Sequence, residues 1–262
     1  MRTVRLIGLP TDINSSFMRG PSKAPAFIRA ALFSEHGNSA TERGPELVTD
    51  IAVQDGGDLP LTECGADDAL IEAAVQAACA EGTVPILLGG DHAVTYPILR
   101  GIAAVHGPVN ILHFDAHPDL YDELDGNRRS HASPFARIME EGLATRLVQV
   151  GIRTLNAHGR AQAERFGVEI VPMSGFDTGA VPIPRAPLYV SVDLDGLDPA
   201  FAPGVSHHEP GGLSVRQLLD VLARIDSPVV GADVVELNPD RDLNGMTAVV
   251  AAKIVKELCA LA

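Results

Sequence analysis

The segment Asp115-Ala-His117-Pro-Asp119 brings together three side chains of the kinds that bind metal ions. These residues are two positions apart, and side chains with that spacing share one face of an extended segment. The apolar run 109–114 comes directly before them, so the polar residues begin where a buried strand is expected to end. A polar loop with nothing bound is the simpler interpretation, and the rest of the sequence has to decide between the two.

Three other apolar runs end in acidic residues or histidine. Gly-Gly-Asp-His at 89–92 follows one run, Asp193-Leu-Asp195 follows another, and Glu236 follows the last. In open parallel sheets the carboxyl ends of the strands lie at the same edge, where ligands bind. So many charges at one edge repel one another unless a cation is present. The candidate ligands are His92, Asp115, His117, Asp119, Asp193 and Asp195.

The types of the candidate ligands indicate which metal they would bind. Four carboxylates and two imidazoles are too many for a structural zinc ion, which takes four ligands and usually thiolates. They suit two divalent ions, and Mn²⁺ prefers such mixed oxygen and nitrogen ligation. Glu236 would add negative charge nearby, which favours a cationic substrate. A guanidinium group is a usual partner of a carboxylate.

The elements that would position these residues alternate between strands and helices along the whole chain. This alternation predicts an α/β fold with three layers, αβα, around a mostly parallel central sheet, in a single domain of residues 1–262. Residues 33–61 show no clear periodicity and are predicted to be a surface loop. Ser214 is the expected N-cap of the helix that begins at Val215. The predicted strands are 4–9, 84–88, 109–114, 147–150, 188–192 and 229–237, and the predicted helices are 67–80, 96–105, 134–141, 215–225 and 246–260.

Composition excludes several classes of function. The net charge of −14 argues against nucleic acid and anionic membrane surfaces as partners, because both bind clustered Lys and Arg. No apolar run reaches the length of a membrane span. The three cysteines form no disulfide pattern, and the first ten residues resemble a strand more than a signal peptide. A reduced, cytoplasmic protein is therefore expected.

Taken together, these motifs resemble those of the ureohydrolases, the family of arginases and agmatinases. The matching segments are Gly-Gly-Asp-His at 89–92, Asp-Ala-His-Pro-Asp at 115–119 and Ser-Val-Asp-Leu-Asp-Gly-Leu-Asp-Pro at 191–199. The segments 130–140, 200–214 and 230–239 resemble those of plant-type arginases more closely. The resemblance covers nearly the whole chain and implies an arginase-like fold.

The resemblance also implies a chemistry and a set of roles. It implies two Mn²⁺ ions per subunit, a small cationic guanidino substrate that is hydrolysed with release of urea, and a homo-oligomer, a trimer or a hexamer. Glu236 would hold the guanidinium, His131 would shuttle a proton, and Asp119 would be both a ligand and a catalytic residue. Asn127 is a candidate contact for the amino-acid end of the substrate, together with His131 and Glu236 as substrate-binding residues.

Several alternatives and smaller expectations remain open from the sequence. The favoured substrate is L-arginine; the alternatives are agmatine, another guanidino acid, or no reaction at all in a metal-dependent binding protein. His207 and His208 are candidates for specificity, and Asp198 is expected to orient a ligand or cap a turn. Of the other histidines, His113 is expected in the core and the following on the surface: His36, His106 and His158.

Overall fold

The computed structural model describes residues 3–35 and 37–262, and within them eight parallel strands form one sheet. The strands are β1 (Thr3–Gly8), β2 (Ala52–Asp58), β3 (Val84–Leu88), β4 (Val109–Phe114), β5 (Ala144–Ile152), β6 (Glu169–Pro172), β7 (Leu188–Asp193) and β8 (Val229–Val235). Their order across the sheet is β2-β1-β3-β8-β7-β4-β5-β6. The same part of the chain contains helices α1 (Ala24–Leu32), α2 (Asp67–Ala80), α3 (Thr95–His106), α4 (Pro134–Glu140), α5 (Ala157–Phe166), α6 (Val215–Ala223) and α7 (Met246–Cys259).

Helices cover both faces of the sheet, which confirms the predicted three-layer α/β fold. Neighbouring strand residues alternate between two apolar clusters: Leu6 and Leu112 belong to one, while Ile7 and Ile111 belong to the other. Helices α1, α6 and α7 contribute to the first cluster, and α2, α3, α4 and α5 to the second. Strands buried on both faces need continuous apolar sequence, and this is the pattern that the sequence shows.

The four strands whose ends carry the candidate ligands and Glu236 are neighbours at the centre of the sheet. They occur in the order β3-β8-β7-β4, and all run in the same direction. Residues that directly follow them therefore converge at one edge, although they are far apart in the sequence. The fold places Asp193 at the end of β7 and Asp115 just beyond β4.

Two predictions about single segments have different outcomes. Ser214 caps α6 as predicted: its Oγ accepts a hydrogen bond from the Gln217 amide at 3.1 Å. The prediction that residues 33–61 are entirely loop is wrong, because they include β2. This strand lies at the edge of the sheet and is largely exposed, so pairing with β1, rather than apolar burial, determines it. His36 lies outside the described residues.

Candidate metal centre

One cluster of acids surrounds the imidazole of His92. The side chain follows a turn in which a Cβ on Gly90 would lie 1.7 Å from the Thr11 carbonyl oxygen, so only glycine fits there. His92 Nδ1 lies 3.3, 3.0 and 3.1 Å from carboxylate oxygens of Asp115, Asp119 and Asp193. It is buried and has no aligned hydrogen-bond partner among the described residues. An orphaned nitrogen that faces three carboxylates fits a divalent cation.

A second cluster adjoins the first and shares one of its residues. His117 Nδ1 lies 3.3 Å from Asp115 Oδ1 and 3.2 Å from Asp195 Oδ2. Asp115 thus presents Oδ2 towards His92 and Oδ1 towards His117. All six predicted ligands are brought together in these two clusters. The arrangement fits two cations that share one carboxylate.

Burial and mutual repulsion disturb the ionisation of these acids. Burial raises the pKa of Asp193 well above its usual range, and repulsion by Asp195 and Asp115 raises it further. Burial also raises the pKa of Asp195 to about 6, although the His117 imidazole opposes this effect. Without added positive charge, the aspartates of the site are not all readily ionised at once. The donor set therefore fits bound cations, because their positive charge would offset the repulsion between the carboxylates.

A buried polar chain supports His92 from behind. His92 Nε2 is 3.0 Å from Ser191 Oγ, which donates to Asp233 Oδ1 at 2.6 Å. Asp233 also accepts hydrogen bonds from Thr95 Oγ1 at 2.7 Å and from the Tyr189 hydroxyl at 2.8 Å. Because Nε2 is occupied on this side, the ring is oriented with Nδ1 towards the carboxylates.

Asp115 is supported by a second buried histidine. His113 Nε2 lies 2.9 Å from Asp115 Oδ2, and the Gln149 side-chain amide donates to His113 Nδ1 at 3.1 Å. The Gln149 amide therefore leaves the His113 proton on Nε2, where it is donated to Asp115. His113 is buried, as the sequence predicts.

Glu236 and His131 form a pair beside the metal clusters. His131 Nδ1 is 2.8 Å from Glu236 Oε1, and the His92 amide donates to the same oxygen at 2.9 Å. Burial raises the pKa of Glu236, but His131 and His92 together outweigh burial and the net shift of the pKa is downward. Glu236 is therefore ionised at neutral pH.

The environment of His131 lets it exchange a proton. Burial lowers its pKa, but the charge of Glu236 raises it to about 9 overall. On the other side of the ring, the Ser16 amide donates to Nε2 at 3.2 Å, which opposes protonation of that atom. Ser16 Oγ also lies 2.8 Å from Nε2. Glu236 thus favours the protonated ring, whereas the Ser16 amide favours an unprotonated Nε2.

Asp119 and Glu236 occupy the left-handed region of backbone conformation, with φ of 48° and 66°. Non-glycine residues rarely adopt this region, and such conformations concentrate at functional sites. The Glu236 amide donates to the Gly90 carbonyl oxygen at 2.8 Å, and buried Val235 and Leu237 flank it. The surrounding structure therefore imposes the conformation that directs the carboxylate into the site.

A cleft of about 240 Å³ opens onto both clusters and the Glu236–His131 pair. Asp198 lies outside it and caps a turn, as expected: its Oδ2 accepts from the amides of Gly211 and Gly212 at 2.7 and 3.1 Å. The lining residues are Ser16, His117, Pro118, Asp119, Tyr121, Leu124, His131, Ala132, Thr154, Asn156, Asp193, Asp195, His207, Glu209 and Glu236.

Asn127, the predicted contact for the amino-acid end of the substrate, does not line the cleft. Its side-chain amide donates to Asn14 Oδ1 at 3.1 Å, and its Oδ1 accepts from the Arg129 amide at 2.8 Å. One end of the side chain therefore bonds within its own turn, which is a common role of Asn, and the other end joins this turn to the segment that carries Asn14.

Sequence reasoning missed the residues that support the ligands, above all Ser191, Asp233 and Gln149. All three are polar residues inside apolar strands, and this is a signal that could have found them.

His106 and His158 are exposed, as expected. Among the described residues, no helix has the length and apolar character that crossing a bilayer requires.

A parallel αβα sheet with paired acid and histidine clusters at its carboxyl edge defines a metal-dependent hydrolase. The chain belongs to the arginase family, since the model of that family matches residues 2–260. It is 50% identical over 272 residues to arginase 1, mitochondrial, of Arabidopsis thaliana, covering 97% of this chain and 80% of that protein. The structure of arginase from Medicago truncatula has a TM-score of 0.94 and 44% identity, covering 99% of this chain and 87% of that one. The human guanidino acid hydrolase, mitochondrial, is 36% identical over 274 residues, covering 97% of this chain and 77% of that protein.

These relatives contradict the expectation of a cytoplasmic protein. The similar arginases of Arabidopsis thaliana and Medicago truncatula are named as mitochondrial, and one of them as chloroplastic or mitochondrial. The three cysteines of this chain are free, as expected. Free thiols distinguish reducing from oxidising compartments, but they do not distinguish one reducing compartment from another.

Proposed function

We propose that this ureohydrolase hydrolyses L-arginine to L-ornithine and urea with two Mn²⁺ ions per subunit. The observation that carries the proposal is a single cleft lined by residues of both ligand clusters and by the Glu236–His131 pair. The plant arginases that it matches are 46 to 50% identical, whereas the guanidino acid hydrolase and the agmatinase are 36 and 35% identical. These identities favour arginine over the other guanidino substrates.

The metal ions would be held by the six residues of the two clusters, with Asp115 common to both. Mixed carboxylate and imidazole ligation suits Mn²⁺. When bound, a pair of such ions can activate water at neutral pH and stabilise negative charge that develops on the substrate.

The remaining residues of the site would bind the substrate and move a proton. Glu236 is ionised and buried, so it would hold the guanidinium through charge-assisted hydrogen bonds. Asp119, which lines the cleft, would add to the negative field that favours a cationic group. Release of the amine requires a proton on the leaving nitrogen, and His131, which lines the cleft and whose pKa is raised to about 9, would supply it.

Agmatine is the second candidate substrate, because of the composition of the cleft. None of the lining residues in the described part of the chain is Lys or Arg, so the arginine carboxylate would have no cationic partner there. Neutral donors are available instead: the Tyr121 hydroxyl accepts from the Asn156 amide at 2.6 Å and is left free to donate. Glu209 also lines the cleft and could receive the ammonium group of either substrate.

Urea release from arginine and from agmatine, measured side by side after Mn²⁺ loading, tests the proposal. We expect urea from both with a clear preference for arginine. A preference for agmatine would replace the substrate and leave the site as proposed. Bound metal without urea from any guanidino compound would indicate a binding or regulatory protein instead.

Replacing Ser191 with alanine is expected to weaken Mn²⁺ binding about 10- to 100-fold, because His92 loses the group that orients it. Tyr189→Phe is the matched control, since it removes a hydrogen bond to Asp233 without touching the contact between Ser191 and His92. Calorimetric titration with Mn²⁺ measures both. Equal weakening in the two variants would show that general disturbance of the buried network, and not orientation of His92, is responsible.

The proposal also includes the organisation of the protein. One continuous sheet and a family match over residues 2–260 support a single domain over residues 1–262. A homo-oligomer of three or six subunits is supported by exposed apolar side chains on α1 and α7, namely Phe27, Met246 and Val249. Light scattering measures the mass of the assembly.

A further inference from the structure

His207 lines the cleft but has no assigned task. Its Nε2 atom is buried and has no hydrogen-bond partner among residues 3–35 and 37–262. Its neighbour His208 is different, because it is exposed and its Nε2 lies 2.7 Å from the Pro203 carbonyl oxygen. A buried polar atom without a partner costs free energy, so the orphaned nitrogen of His207 requires an explanation.

The His207 ring lies close to two other histidine rings of the site. Its centroid is 5.3 Å from the His131 ring and 5.9 Å from the His117 ring. His207 therefore stands between the proposed proton shuttle and a proposed metal ligand, beside the position that the guanidinium group would occupy.

The loop that carries His207 is held firmly by its neighbours. Ser206 Oγ donates to the Met18 carbonyl oxygen at 2.8 Å and accepts from the Asn238 amide at 2.9 Å. Val205 forms a backbone bridge with Leu237, the residue after Glu236. The ring is also in edge contact with Phe17, at 5.7 Å between centroids. These contacts hold the backbone of the loop beside Leu237, and Phe17 packs against the ring.

The chemistry of the substrate explains what such a nitrogen could bind. An arginine side chain offers five N–H donors and no acceptor, and one carboxylate satisfies only part of them. We propose that His207 Nε2 accepts a hydrogen bond from the guanidino group of the substrate and so completes the guanidinium site begun by Glu236. The proposal rests on the proposed function and assigns His207 to substrate binding at the guanidino end.

Kinetics of His207→Phe test this assignment, with His208→Phe as the matched control. Phenylalanine preserves a ring that can pack against Phe17 but cannot accept the hydrogen bond. We expect KM for arginine to rise about 10-fold or more in His207→Phe, since a hydrogen bond to a charged group is lost. Mn²⁺ content should be unchanged, and His208→Phe should behave as the wild type. If agmatine proves the better substrate, the same measurements are made with it.

The competitive inhibition constant of the product identifies which end of the substrate His207 contacts. Ornithine, or putrescine for an agmatinase, lacks the guanidino group, so its inhibition constant should stay the same in His207→Phe. A parallel rise in this constant, or an unchanged KM for the substrate, overturns the proposal. His207→Asn, which keeps an acceptor, should recover part of the affinity. If His207→Phe is unfolded, His207→Leu, which also lacks an acceptor, replaces it. A wild-type protein that releases no urea would instead refute the proposed function.

Discussion

Asp115→Asn is expected to lose both Mn²⁺ ions and to lower kcat/KM for the substrate by more than about 1,000-fold. Mutating a residue that only hydrogen-bonds a metal ligand already lowers metal affinity or activity about 10- to 100-fold, and loss of a ligand itself should cost more. Asp115 is the residue that both ligand clusters share, with one oxygen towards His92 and the other towards His117. Its replacement therefore disturbs both clusters, whereas replacing Asp119 or Asp195 disturbs one. Metal analysis and urea release measure the two effects.

The matched control for this variant is Asp226→Asn, which removes one charge from an exposed position. It should keep the metal content and the activity of the wild type. An Asp115→Asn protein that is folded, loaded with two ions and fully active would contradict the assignment of the ligands. A variant that retains one ion would show that the shared carboxylate is needed for only one cluster.

Glu236→Gln is expected to lower kcat/KM about 30-fold or more while the Mn²⁺ content stays unchanged, because truncating a buried charge partner costs about 2–5 kcal/mol. Glu236 belongs to neither ligand cluster, so metal binding should not depend on its charge. The pKa of His131 should fall, since the charge of Glu236 is what raises it to about 9. Any activity that depends on protonated His131 should then be lost at a lower pH than in the wild type.

Steady-state kinetics across pH, combined with metal analysis, measure these effects. Glu164→Gln on the exposed side of α5 is the control for the change in net charge and should leave the kinetics unaltered. Loss of metal from Glu236→Gln would place Glu236 among the ligands. Unchanged kinetics would remove it from the substrate site.

The sequence is sufficient to predict the central part of the fold, because burial determines it. β3, β4 and α2 have the predicted bounds, since each carries a clear apolar pattern and has glycine, proline or charged residues within two positions of its ends. β2 and α5 were missed for the opposite reason. Their residues are largely exposed, and they are formed by pairing with β1 and by packing around Ala163. Such elements depend on the rest of the fold and leave little periodicity in the sequence.

The candidate ligands could be predicted because parallel strands bring their ends to one edge whatever the order of the strands. The supporting residues could not be predicted in this way. Whether Ser191 reaches His92, and whether Gln149 reaches His113, depends on which strands are neighbours and on their register. Asn127 shows a further limit: its residue type and neighbourhood predict substrate binding, but the sequence does not reveal that its side chain bonds Asn14 and the Arg129 amide.

The unusual backbone at Glu236 limits how the enzyme can evolve. At a φ of 66°, glycine, asparagine and aspartate are tolerated far better than β-branched residues. If a related enzyme evolved to act on a substrate without a guanidinium group, few residues could replace Glu236 unless the surrounding loops also changed conformation. New specificities should therefore arise first at other lining residues of the cleft, such as Tyr121, Asn156 and Glu209, while Glu236 and the metal ligands stay unchanged.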